Sequence, residues 1–371
     1  MGCPVDARPL PYHPTHIPHA EHTLKRMGSI ELAKRGEGNS WFSGPHVLMF
    51  MLLWATVHAL LLVAQQADLP LDTQVDPDGY MRLVRVGILL EGGGWFDGTI
   101  PRSNWPYGEV HHWTRPLDVL IILLALPLRA FLDANAALAL AGMFVSPLLH
   151  LGLCIASVWI VRPLVPGPAR FFAMPAMLVQ LGILLYSQAG RADHHTLIFL
   201  LAGLALGAWM RALLNPGDRS AAALAGVFSG VGIWVSPESL LPLALLFASG
   251  AAAWILSGRR FLAPNRRLCL ALAGTIAVAI TLERHPSDWL GLSFDQISLA
   301  HLSVSLLALG YWGIMGLARS VTAGPADEPG EEPIAGAAEG GWEYRFLLGG
   351  AGALVVVGLL GLLHPQFFRG P

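Results

Sequence analysis

The side chains best equipped for chemistry fall in two polar clusters set among apolar runs. One is Val75-Asp76-Pro77-Asp78-Gly79-Tyr80 and the other is Gly190-Arg191-Ala192-Asp193-His194-His195. In the second, Asp193 and His195 are i and i+2, and in an extended loop such residues point to one side. A carboxylate and an imidazole so placed suit a divalent cation such as Mn²⁺. A competing local reading makes Asp193 the N-cap of a helix starting near Thr196. In the first cluster, Asp-Pro-Asp-Gly has the residue types of a turn. A helix is expected after it, over 80–90, with Arg82 and Arg85 three apart on one face. These two and Arg191 could hydrogen-bond phosphate oxygens, although ordinary snorkelling to headgroups would use the same posture. Glu238, in Ser236-Pro237-Glu238-Ser239, is a further carboxylate at a break between apolar runs. Glu109, His111 and His112 read as ordinary polar residues of the same loop as Asp78.

The elements that must position these groups are membrane helices. Charged residues make up 13% of the 371, about half the roughly 25% of soluble proteins, and the mean hydropathy is +0.54. That composition excludes a soluble enzyme, a disordered chain and a disulfide scaffold. A net charge of −2 argues against a nucleic-acid partner. Cys3, Cys154 and Cys269 are too far apart for metal spacing and read as small buried hydrophobes. Apolar runs near the length needed to cross a bilayer predict an all-α, polytopic bundle of about nine spans: 46–64, 137–161, 171–188, 196–214, 221–235, 240–256, 268–282, 299–317 and 346–363. The shorter run 116–132, interrupted by Pro127, is expected to be a half-span or interfacial helix. His58, His150 and His301 lie within spans and are expected to bond other helices.

Lys and Arg are retained on the cytoplasmic side. With the N-terminus inside, 15 of the 23 fall inside, and both polar clusters face out. The expected layout is a polar cytoplasmic tail over 1–45, carrying His13, His16, His19 and His22, and then a membrane domain over 46–371. That domain has a long first outer loop over 65–136 and a flexible cytoplasmic loop over 319–345. Two acidic clusters on one outer face are informative, because charge at a membrane protein's cavity is costly and usually functional.

The order of features resembles the catalytic subunit of the oligosaccharyltransferases and the wider GT-C class of polyprenyl-phosphate-sugar glycosyltransferases. One span is followed by a long outer loop with Asp-Gly-Tyr and an amphipathic helix, then two spans, then a short outer loop with Asp-x-His. In that family the first outer loop supplies an aspartate that binds the metal and the acceptor. Asp78 matches it best, and Asp76 is the alternative. Asp193-His194-His195 matches the archaeal-type Asp-His-His form of the second motif, whose first and third residues are ligands, with His194 as the secondary candidate. A fainter likeness to a bacterial branch covers 105–118. The resemblance implies catalysis by Asp78 and Asp193 and a metal, Mn²⁺ or Mg²⁺, on Asp78, Asp193 and His195. It also implies donor phosphate on Arg82, Arg85 or Arg191, a polyprenyl-linked sugar donor drawn from the membrane lipid, and an inner-membrane location with a periplasmic or external active face. The chain stops about where a later outer loop of the family should begin. A second chain supplying further spans and a soluble domain is therefore expected as a partner. A monophosphate donor is a second reading within the class; an inactive assembly subunit and a transporter are the rivals outside it.

Overall fold

The computed structural model describes residues 44–66, 74–317 and 342–368. The chain divides into two units, Met1–Met49 and Phe50–Pro371. Of the first, only the opening of helix α1 is described. The expected cytoplasmic tail up to residue 43, with its four histidines, and the Gly/Glu-rich loop over 318–341 lie outside the described residues.

Twelve α-helices follow in the described residues: α1 (Gly44–Gln66), α2 (Pro77–Leu90), α3 (Arg115–Leu128), α4 (Ala134–Val161), α5 (Ala173–Leu178), α6 (Leu181–Tyr186), α7 (His195–Leu214), α8 (Arg219–Val235), α9 (Leu240–Ser257), α10 (Leu262–Glu283), α11 (Leu299–Leu317) and α12 (Trp342–Leu363). A two-residue hairpin, β1 (Thr99–Ile100) against β2 (Glu109–Val110), is the one sheet among the described residues, with Thr99 opposite Val110. The molecule is an all-α membrane-type bundle, as the composition requires.

Six segments are long and apolar enough to cross a bilayer, and one of them, Pro237–Glu283, contains both α9 and α10. Gly258, at φ +73°, separates these two helices, a conformation that costs a residue with a Cβ about 1–2 kcal/mol. Two of the nine expected spans take another form. Residues 221–235 belong to a helix of 17 residues. The expected span 171–188 is broken into a 3₁₀ turn, Gly167–Phe172, and two six-residue helices, α5 and α6. Each of those helices is only about 9 Å long. Pro168 opens the turn, and Gln180 and Gly182 follow α5, so the helix has no uninterrupted run to use. The broken segment still returns the chain along α4: it starts beyond Val161, and Gly190 N donates to Met143 O at 3.0 Å. The two ends of that path are about 27 Å apart along α4.

Helix α3 is 14 residues long, short of a span, as expected of the half-length run. Two expected boundaries move. α2 begins at Pro77 rather than residue 80, because the Asp76 carboxylate caps it by accepting from Gly79 N at 2.8 Å. α12 begins at Trp342, inside the segment expected to be a loop.

The centre of the bundle is α8, enclosed by α7 and α10. Gly226 and Gly230 lie four apart on its face. A Cβ at Gly226 would collide with Leu268 O, and one at Gly230 would come 2.7 Å from Thr275 Cβ. Small residues at this spacing let membrane helices approach closely, which is where packing without a hydrophobic drive finds its energy. Cys154 and Cys269 are buried, as expected. His58 meets His150 across α1 and α4 at 3.1 Å, an interhelical bond of the expected kind.

Polar contacts gather the site-bearing segments at one end of the bundle. Val75 N donates to Gly190 O at 2.7 Å, and Gln65 Nε2 to Gln188 Oε1 at 2.6 Å. Thr114 Oγ1 donates to Val235 O at 3.1 Å, and Trp234 Nε1 to Glu283 Oε2 at 2.8 Å. The two polar clusters singled out in the sequence therefore share an end.

Candidate metal centre and its arginine support

The 190–195 loop is held from two sides. Gly190, at φ +76°, makes the turn that lets its N–H reach α4 while its carbonyl accepts from Val75. Ser146 Oγ on α4 donates to Arg191 O. Thr196 Oγ1 donates to Tyr186 O at 3.0 Å, tying the start of α7 to the end of α6. Asp193 is thereby buried, with 4% of its surface exposed.

Around that carboxylate the two imidazoles converge. His195 Nδ1 lies 2.5 Å from Asp193 Oδ2, and His194 Nδ1 lies 2.7 Å from Oδ1. The rings stack on each other with centroids 4.6 Å apart, and His195 stacks on Tyr186 at 4.4 Å. One ligand atom from each of Asp193, His194 and His195 lies within 4.8 Å of the others. Burial works against ionisation of Asp193, but the adjacent His194 and His195 imidazoles outweigh it and hold the carboxyl well below its usual range. His194 Nδ1, despite its closeness to the carboxylate, makes no hydrogen bond and is buried. Two imidazole nitrogens facing the two oxygens of one buried carboxylate are a donor set that fits a metal ion.

His194 is the member that spacing alone undervalued. In an extended loop it would point away from Asp193 and His195. Its backbone is helical instead, at φ −79° and ψ −15°, so three consecutive side chains curl around one point. For the same reason Asp193 does not cap α7: the helix starts at His195 without a side-chain cap, and Asp193 Oδ1 accepts from the neighbouring His194 N at 2.7 Å. Glu238, in the 3₁₀ turn Pro237–Ser239, approaches from α8, with its carboxylate 3.7 Å from His195 Nε2.

The first-loop residues divide between roles. Asp76 caps α2 and pairs with Arg191, whose Nε lies 3.0 Å from Asp76 Oδ2. The Arg191 guanidinium also sits 4.6 Å over the Tyr186 ring. Asp78 is exposed in the first turn of α2 and is not among the three residues whose ligand atoms cluster. It lies one turn before Arg82 on the same helical stripe.

Arg82 and Arg85 were expected to face phosphate; both are turned inward. Arg82 Nη1 is 3.0 Å from Asp118 Oδ1, Arg85 Nε is 3.3 Å from Asp118 Oδ2, and Arg115 Nη1 is 3.1 Å from the same oxygen. Asp118 has no exposed surface, and Arg82 retains 2% and Arg85 4%. Burial is the main reason the Arg85 pKa drops to about 10, offset by Asp118 and deepened by Arg115 and Arg82; it still carries its charge at neutral pH. Arg82 also lies 4.4 Å over the Trp113 ring. This cluster fixes α2 against α3 and the hairpin loop, and so sets where Asp78 projects. Asp118 had one sequence signal, its i,i+3 relation to Arg115 at the head of an apolar helix.

No family model matches the chain, and no curated protein sequence matches it. Solved structures do match. The archaeal oligosaccharyltransferase AglB from Archaeoglobus fulgidus, in complex with an inhibitory peptide and a dolichol-phosphate, is similar at TM-score 0.58 and 17% identity, over 86% of this chain and 38% of that one. An apo structure of the A. fulgidus oligosaccharyltransferase gives TM-score 0.59 at 17% identity, over 89% and 38% of the two chains. A complex of it with Zn and sulfate gives 0.54 at 17%, over 78% and 35%. The chain thus spans less than two fifths of the length of the enzyme it matches. At this identity the likeness establishes the fold: the protein has the GT-C-like membrane architecture of an oligosaccharyltransferase catalytic subunit.

Proposed function

We propose that the protein is a metal-dependent membrane glycosyltransferase of oligosaccharyltransferase type. It would move a sugar or oligosaccharide from a polyprenyl-(di)phosphate donor to an acceptor on the periplasmic or external face. The observation that carries this reading is the Asp193-His194-His195 cluster, with two imidazole nitrogens facing one buried carboxylate, at the same end of a GT-C-like bundle as the Asp76–Asp78 turn. Asp193, His194 and His195 would hold a divalent cation, with Glu238, 3.7 Å from His195 Nε2, as a further ligand and Asp78 as the candidate ligand from the first loop. Ligands about 2.1 Å from an ion at right angles stand about 3.0 Å apart. The Asp193 contacts of 2.5 and 2.7 Å would need to open by only a few tenths of an ångström. Two imidazoles favour Mn²⁺ over Mg²⁺, which prefers an all-oxygen shell.

A bound ion would act as a Lewis acid, offsetting charge that develops on the leaving phosphate. The remaining work falls to the chain. Arg191, a quarter exposed on its side chain and anchored by Asp76, is the arginine placed to hydrogen-bond a phosphate oxygen. Asp78 would accept a hydrogen bond from the acceptor nucleophile and orient it toward the anomeric carbon. Tyr186, stacked on His195, keeps that imidazole from rotating. A partner chain carrying further spans and a soluble domain would supply the lid that excludes water. The inner membrane is the proposed location, with the N-terminus in the cytoplasm.

The test is Mn²⁺ binding to the full chain in detergent, followed by electron paramagnetic resonance. One saturable site should be present, weakened at least tenfold by Asp193→Asn and by His194→Ala, with melting behaviour preserved. Binding that is unchanged in both variants would end this reading. Transfer from a labelled lipid-linked sugar, tried with the chain alone and with a candidate partner chain, then tests the activity itself.

A further inference from the structure

A cavity of about 170 Å³ lies between the hairpin loop and the segment that follows α10. It contains none of the proposed metal ligands. Trp95, Phe96 and Trp113 contribute aromatic walls, and Arg85, Arg115 and Arg284 contribute cations. Beneath it sits the Asp118 cluster. The three buried guanidiniums of Arg82, Arg85 and Arg115 meet two carboxylates, Asp118 and Glu283, while Arg284 pairs with the exposed Asp288 at the rim. Two more carboxylates lie nearby. Asp97 is exposed and accepts from Thr99 N, and Glu109 is exposed on the hairpin, where it bonds Ser103. The enclosed part of the cluster therefore keeps an excess cation, a costly arrangement away from water unless an anion completes it.

The nitrogen atoms show where that anion would sit. Arg115 is fully committed: its Nε donates to Trp95 O at 2.9 Å and its Nη2 to Asp97 O at 2.8 Å. Arg284 Nη1 donates to Gln296 Oε1 and pairs with Asp288, each at 3.1 Å. Three nitrogens of cavity-lining residues make no hydrogen bond although buried: Arg284 Nε, His111 Nε2 and Arg85 Nε, the last facing Asp118 Oδ2 at 3.3 Å. His111 Nε2 has only Glu109, at 3.7 Å. Aromatic rings stand at the mouth: Phe96 is edge-on to His285 at 5.6 Å, and both are exposed.

From these features we infer that the cavity is a binding site for one acidic sugar ring, carrying a carboxylate or a phosphoryl group. The volume is below the roughly 300 Å³ of ordinary ligand pockets, which limits the occupant to a single ring. Arg284, backed by Arg85, takes the anionic group in charge-assisted hydrogen bonds. Trp95 and Phe96 take the apolar face of the ring, the geometry in which aromatic side chains bury most surface. The ring belongs to a glycan brought to this end of the bundle by either substrate. The inference stands apart from the metal reading, because no Asp193-cluster residue takes part.

Saturation-transfer NMR on the full chain in detergent, with EDTA present, tests it. Glucuronate, glucose and inorganic phosphate are the three probes. Glucuronate should bind saturably and at least tenfold tighter than glucose. Arg284→Gln should weaken it at least tenfold, and Asp193→Asn should leave it unchanged. Should Arg284→Gln fail to fold, Phe96→Ala removes an exposed wall instead; it should weaken glucuronate several-fold and leave phosphate unaffected. The inference is overturned by glucose binding as tightly as glucuronate, by phosphate matching glucuronate, by an unchanged affinity in Arg284→Gln, or by competition for the site from Mn²⁺ with EDTA omitted.

Discussion

Removing the carboxylate at the centre of the arginine cluster should destabilise one region of the protein strongly. In Asp118→Ala, three guanidiniums at 3.0, 3.3 and 3.1 Å lose their shared counter-ion. Breaking a buried pair by deleting one partner costs about 3–5 kcal/mol. The upper half of that range is not expected, because each cation keeps neutral acceptors: Arg82 has Thr114 O at 3.3 Å, Arg85 has Trp113 O at 2.5 Å, and Arg115 has Asp97 O at 2.8 Å. A loss of about 3 kcal/mol follows, or a fall in Tm on the order of 5–10 °C. The damage should be local, because the cluster chiefly joins α2, α3 and the hairpin loop and meets the central helices only near their ends, as where Arg115 N donates to Glu283 Oε2 at 3.0 Å. Thermal melts in detergent measure the first quantity, and hydrogen exchange over 77–128 the second. The double variant Asp118→Ala/Arg85→Leu checks the cause: removing one stranded cation should recover part of the loss. Exchange protection unchanged in Asp118→Ala, or a double variant worse than the sum of the singles, would refute the reasoning.

Gly226→Val should cost about 1–3 kcal/mol by forcing α8 from α10, whereas Gly274→Ala, at an open position on α10, should be neutral; melting temperatures decide between them. Gly190→Ala strains a turn at φ +76° and should cost about 1–2 kcal/mol, with weaker Mn²⁺ binding as the signature that the turn sets the cluster. Burial, deepened by His112, Arg85 and Arg82 and opposed by Glu109, lowers the His111 pKa from 6.5. The unfolded chain therefore takes up this proton first as pH falls, so stability should decline on acidification through about pH 6.5. His111→Gln should flatten that decline in melts run from pH 7.5 to 5.5.

What the sequence made legible, and what it did not, follows from the range of the interactions. The Asp193-His194-His195 cluster is contiguous, so its residue types could be read directly. Only its curvature was hidden, because one helical dihedral pair at His194 turns an alternating loop into three convergent ligands. The long apolar helices were legible for the same reason: a run of apolar residues satisfies its own backbone within the segment. The broken segment 167–188 also carried its signals locally, in Pro168, Pro175, Gln180 and Gly182, but a hydropathy window averages over such breaks. Asp118 was the hard case. Its partners Arg82 and Arg85 lie more than 30 positions away, on a different helix, and nothing in the pattern of α2 distinguishes a lipid-facing arginine from one turned inward. The posture is decided by α3 and the hairpin loop, which bring a fully buried carboxylate and the Trp113 ring to that face. This division also bears on chemistry. The proposed metal ligands occupy one short loop, while the two buried arginines of α2 form part of the support that fixes where Asp78 stands. In the proposed function phosphate recognition would then fall to Arg191, the one of the three whose side chain remains a quarter exposed, which also holds the two polar clusters together through Asp76.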